Sequence, residues 1–228
     1  MKGACVGTTT GDIVVIGHDY ASSNVRSSEA KILANAVFLP PSNPLRIVSF
    51  EQYADPTQVA NVKAALASAA LARGRTLSLT KVTDYTLVPG DLTGGMYDVL
   101  LVYDQANAPA GTLLTVGQAW QTPVKDFVAT GGDVVVLDGA SGPRPQMTDL
   151  LTAASLLQAT GEVVIPKGTQ LLVAASGDAV GTFVLSPYAA QTNTVSFVTS
   201  EANGGSVTYV VDELTAGGLV PVVIHKTP

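Results

Sequence analysis

Short apolar runs and longer amphipathic stretches alternate along the first 160 residues. Asp12 to Gly17 is a continuous apolar run that ends in glycine, as expected for a strand buried on both faces. Ser27 to Phe38 has Ile32, Leu33, Ala36 and Val37 at helical spacing, and Pro40, Pro41 and Pro44 end it. Leu45 to Phe50 predicts a second strand. The next helix is the best marked. Asp55 suits the N-cap, Pro56 the first helical position and Gly74 the position just past the end. Between them Val59, Val62, Leu66 and Ala69/Ala70 recur every three or four residues. Thr76 to Val82 alternates as a strand, and Asp98 to Tyr103 is another buried one. Leu113 to Ala129 is helical, with Pro123 expected to kink or divide it. Gly131-Gly132 stops that helix before the strand Asp133 to Leu137, and Met147 to Leu157 is a short amphipathic helix.

The pattern changes near Gly161. Thr, Ser and Val dominate, and short runs are separated by Gly, Pro and Asn turns: Leu171 to Ala174, Phe183 to Leu185, Thr194 to Thr199, Ser206 to Val211 and Val220 to His225. These read as strands and hairpins that either extend a sheet edge or form a small second sheet. Strand–helix alternation implies parallel strands with right-handed crossovers. The expected fold is three-layer, flavodoxin-like α/β: a mostly parallel sheet flanked by helices, with a strand-rich C-terminal extension. Residues 1–11 form a flexible arm, 12–160 the α/β domain, and 161–228 a strand-rich region packed on the same domain.

Composition narrows the partners. Hydrophobic residues make up 46% and charged residues 13%, and mean hydropathy is +0.33. No apolar run approaches the roughly 18 residues of a membrane span, so no transmembrane segment is expected. The apolar surplus goes into a core or into contacts between subunits, and a sparsely charged surface protects poorly against self-association. Net charge is −6 with no basic patch, Arg73 and Arg75 being the only close pair, which disfavours nucleic acid. The single cysteine, Cys5, excludes an internal disulfide and a cysteine metal cluster. Gly3-Ala4-Cys5 has the form in which a bacterial lipoprotein signal ends, but no apolar segment precedes it. Cys5 is therefore a lipid-anchor site only if the chain is a trimmed lipoprotein. Low lysine and abundant Thr, Gly, Ala and Asn lean towards an exported bacterial protein.

Ligands of parallel sheets collect at the carboxyl ends of the strands. There the chain supplies His18-Asp19, Glu51-Gln52, Asp104-Gln105 and Asp138-Gly139-Ala140-Ser141-Gly142. Gly-Ala-Ser-Gly after a strand stands where a nucleophile elbow would, with Ser141 as nucleophile and His225 as its base. Pro143 and Pro145 follow at once, however, where an elbow runs straight into its helix. Asp19, Asp104 and Asp138 could converge on a hard cation, or act as separate loop-closing acids. The Gly17-His18-Asp19-Tyr20 turn lacks the glycine spacing of a nucleotide site. Tyr20, Tyr53, Tyr103 and Trp120 could line a sugar-binding cleft, or be core. No cofactor is expected.

The stretch from Tyr97 to Val102, a helix ending Phe127-Val128-Ala129-Thr130-Gly131-Gly132, and the strand Asp133 to Leu137 together resemble the class I glutamine-amidotransferase-like superfamily, above all its trehalose-utilisation-type and uncharacterised members. The resemblance covers about 40 residues. It implies a Cys or Ser at the elbow, a downstream His and an acid. The elbow maps to Gly139 to Gly142, which offers only Ser141, and His225 is followed by Lys226 and Thr227 rather than by the family's partner motif. The resemblance therefore implies a member that has lost its triad and does not transfer amide nitrogen. The expected function is a non-catalytic, exported or surface α/β domain that works through protein contacts, including homo-oligomeric ones. The alternatives are a serine hydrolase using Ser141 and His225, or small-ligand or sugar binding in a crevice holding His18, Asp19, Asp104, Gln105 and Asp138.

Overall fold

The computed structural model describes residues 10–21, 25–141, 147–215 and 218–228. Most of the predicted arm, including Cys5, lies outside them, as do Gly142, Pro143 and Pro145. The elements are β1 (Ile13–Ile16), α1 (Ser27–Val37), β2 (Leu45–Phe50), α2 (Pro56–Ala72), β3 (Leu77–Val82), α3 (Val88–Leu92), β4 (Val99–Val102), α4 (Thr112–Ala129), β5 (Asp133–Leu137) and α5 (Met147–Ala153), then β6 (Ala159–Val164), β7 (Gln170–Val173), β8 (Tyr188–Ala189), β9 (Val195–Thr199), β10 (Val207–Thr215) and β11 (Gly218–Lys226).

Nine strands form one sheet in the order β3-β2-β4-β5-β1-β11-β10-β7-β8. The first five are parallel. From β11 onward each strand is antiparallel to its neighbour. The C-terminal region thus does both things open to it: four strands lengthen the main sheet, while β6 and β9 pair as a separate ribbon. β1 sits mid-sheet between β5 and β11, paired on both edges and covered on both faces, which explains its unbroken Ile-Val-Val-Ile.

Two cores lie on the two faces of the sheet. On one, Val15, Val102, Val134 and Val136 pack with α4 and α5 around Trp120, whose ring meets Phe50 edge-on at 4.8 Å. On the other, Val14, Ile16, Leu101 and Leu137 pack with Ile32, Leu33, Val62 and Leu66 of α1 and α2. The helix signals act as read. Asp55 accepts from Thr57 N at 2.7 Å and Gln58 N at 3.2 Å. Pro123 does not divide α4, which continues through it as one helix. The backbone bond it removes belongs to the carbonyl of Ala119, which lies on the exposed flank where loss of one internal bond costs least. Phe183 to Leu185 is not a strand but part of a turn-rich segment between β7 and β8, with Phe183 in the left-handed region at φ 57°.

Candidate functional site

The strand ends gather one cluster of polar side chains, around Gly139 on the turn after β5. β5 lies between β4 and β1, so the turn falls between Asp104 and Asp19. A side chain at 139 would start 3.3 Å from Asp19 Cβ and 3.5 Å from Asp104 Oδ2. Glycine keeps that gap open. Ser141 Oγ donates to Asp104 Oδ2 at 2.8 Å. Asp19 accepts from Ala21 N at 2.7 Å and from Asn193 Nδ2 at 3.0 Å. Asn193 stands in the left-handed region (φ 63°), and its carbonyl accepts from Ala140 N at 2.7 Å. One residue ahead of the ribbon strand β9 therefore ties both Asp19 and the 139–141 turn. The ribbon is seated by a close approach at the end of β1, where Val195 N donates to Gly17 O at 2.8 Å and a Cβ on Gly17 would lie 2.2 Å from Val195 O.

Asp19, Asp104 and Asp138 are all nearly inaccessible to solvent, whereas Ser141 and Glu162 of β6 are half-buried. Burial, then the charges of Glu162 and Asp104 and a hydrogen bond with Glu162, raise Asp138 well above the usual carboxylate range. Gly139 N donates to its Oδ1 at 2.7 Å. Among the described residues no group of three His, Cys, Asp or Glu is arranged to hold a metal ion.

The other sequence candidates fall elsewhere. His18 turns to the α1–α2 side of the sheet, where it is fully buried with Nε2 2.8 Å from Tyr188 Oη. Burial lowers it to about 3, so the imidazole is neutral. Gln105 is occupied with backbone: its amide donates to Tyr103 O at 2.8 Å and Phe50 O at 3.3 Å, and its carbonyl accepts from Tyr53 N at 2.9 Å. It clamps the loop after β2. Tyr20, Tyr103 and Trp120 are fully buried core rather than a cleft lining, and of the four aromatics only Tyr53 is partly exposed.

Ser141 and His225 are not brought together. β11 runs antiparallel to β1, so His225 stands opposite Val14 at the start of β1, whereas Ser141 follows the far end of β5. His225 is held by Asp178 (Nδ1 to Oδ2, 2.9 Å) and Asp12 (Nε2 to Oδ1, 3.2 Å). The serine-hydrolase arrangement is corrected by this topology. Glu162 and Asn193 were the members missed from sequence. Glu162 is a lone acid in a Val/Thr run, and Asn193 is one of many turn-forming residues in its region.

The fold of the chain resembles that of a solved protein. A ThuA-like protein of Bacteroides uniformis is 14% identical over 81% of this chain and 78% of that one, with a TM-score of 0.52. A peptidase from an acI-B1 actinobacterium is 10% identical over 60% of this chain and 56% of that one, with a TM-score of 0.33. No protein-family profile and no curated protein matches the sequence. At 14% identity the first likeness gives a fold alone: mixed α/β around a large central sheet, like that of the ThuA-like protein. Among the described residues no helix is long and apolar enough to cross a membrane.

Proposed function

We propose that the chain is a non-catalytic binding domain that takes a small, neutral, polyhydroxylated ligand of the sugar class in the crevice around Gly139. The observation that carries this reading is the convergence of Asp19, Asp104 and the Ser141 hydroxyl around a residue without a side chain, beside Asp138, whose hold on its proton burial strengthens. Carboxylates accept from sugar hydroxyls, and a neutral carboxyl and a serine hydroxyl donate as well as accept. Four acids in one cluster disfavour phosphates and other anions. The absence of a Ser141–His225 contact supports the loss of family chemistry. Differential scanning fluorimetry against neutral mono- and disaccharides and polyols tests it. A ligand at a hundred times its Kd adds about 2.7 kcal/mol, a rise of several degrees. Gly139→Val, which fills the gap, should remove the shift. A flat panel for the wild-type chain rejects the reading.

A second reading retains protein contacts, self-association among them, in an exported domain. Its support is the segment between β7 and β8, which holds Phe183 (89% exposed) and Leu185 (73% exposed) out from the surface. That segment is pinned by Asn35, whose amide donates to Val180 O and Thr182 O at 2.9 and 2.8 Å. Size-exclusion chromatography with light scattering decides it. A monomer at millimolar concentration, unchanged in Phe183→Ser, removes self-assembly.

A further inference from the structure

At the end of the sheet opposite the crevice, a cavity of about 640 Å³ opens between α4, the turn after α5 and the start of β1. Its size falls within the roughly 300–1,000 Å³ of small-molecule sites. The floor is apolar: Ile13, Val124, Val128 and Leu156, all buried from solvent. The rim carries two cations, and they differ. Lys226 Nζ is already paired with Glu201 at 2.9 Å and donates to Leu156 O at 3.3 Å. Lys125 has no carboxylate partner among the described residues. Lys125 is exposed on α4, at the edge of this apolar floor.

We infer that this cavity binds an amphiphile with an apolar body and one anionic head, such as a medium-chain carboxylate, the chain lying on Val124, Val128 and Leu156 and the head against Lys125. The lining also includes Thr10, Gln121, Thr122 and Ser155, with Gln121 Nε2 donating to Ser155 Oγ at 2.9 Å, so polar groups border the apolar floor on the side of the head. This site does not depend on the crevice reading.

Isothermal titration of the full chain with hexanoate, octanoate, decanoate and 1-decanol, each below its micelle concentration, tests it. One-to-one binding is expected, tightening about fourfold for each added methylene. Lys125→Glu should weaken decanoate at least about tenfold, the loss of one charge-assisted contact and the gain of a repulsion, and leave decanol unchanged. Ala129→Trp, on the cavity rim at an exposed position, should abolish both, while thermal unfolding shows that each variant remains folded. Absence of saturable binding to decanoate and decanol overturns the proposal, and so does wild-type affinity for both in Ala129→Trp. Equal decanoate affinity in Lys125→Glu overturns the assignment of the head.

Discussion

Replacing His225 by glutamine should lower stability at pH 6 and matter much less at pH 10. The imidazole is 9% exposed between Asp178 and Asp12, whose side chains are 13% and 27% exposed. Burial alone would lower its pKa, but the hydrogen bonds and charges of the two aspartates outweigh it and raise it from 6.5 to about 9. Because the folded value lies above the unfolded one, the stabilisation is fully present below pH 6.5 and fades as the pH rises through 9. A rise of that size corresponds to about 3 kcal/mol. Solvent around Asp12 screens part of this, leaving about 2 kcal/mol. Urea unfolding of wild type and His225→Gln at pH 6, 7.5 and 10 gives the difference free of other titrating groups. The chain has only two histidines, and burial lowers His18 to about 3. A proton NMR titration therefore reads His225 directly. A midpoint near 6.5, or a stability gap between the two proteins that does not narrow with pH, would refute the reasoning.

Three more outcomes follow from side chains already placed. Asp212 on β10 is fully buried, neither of its oxygens has a hydrogen-bond partner among the described residues, and burial raises it to about 6. Asp212→Asn should add roughly 1–2 kcal/mol at pH 8, where the folded chain otherwise holds an uncompensated charge, and much less at pH 3.5, where the carboxyl is mostly protonated in both states. Chemical denaturation at the two pH values checks this. Asn193→Gly keeps the left-handed backbone but loses the bond to Asp19, a cost of about 1 kcal/mol, and Asn193→Ala adds roughly 1 kcal/mol of backbone strain. An Ala variant as stable as the Gly variant contradicts that account. Asp55→Ala removes the cap of α2 and should cost about 1 kcal/mol, read as a lower urea midpoint with an unchanged slope.

Elements that declare themselves locally were legible in the sequence. α2 carries its cap, its first-turn proline and its terminating glycine within its own span, and all lie where expected. The buried strands showed as apolar runs because both their faces are covered. Neighbours in space were not legible. β1 pairs with β5 and β11 rather than with β2, and no local pattern encodes that choice. The same topology decided the candidate site. Asp19, Asp104 and Ser141 share a crevice because parallel strands end on one side. His225 is excluded because its strand runs the other way. His18 and Asp19 are adjacent in sequence yet are engaged on different sides of the sheet: His18 meets Tyr188 in the α1–α2 core, and Asp19 meets Asn193 of the ribbon.

The position of β1 has a consequence for the order in which the molecule is assembled. Ile13 is paired with Lys226 on one side and Val134 on the other. The middle of the sheet is therefore completed by segments that lie far apart along the chain. Until β11 arrives, the apolar edge of β1, or of β5 if β1 has not yet docked, stays available to other chains. Pairings so distant along the chain are slow to form, and an uncovered strand edge is an aggregation hazard. Refolding yield should therefore fall steeply with protein concentration, and the loss should be traceable to the seam where the parallel and antiparallel halves of the sheet meet.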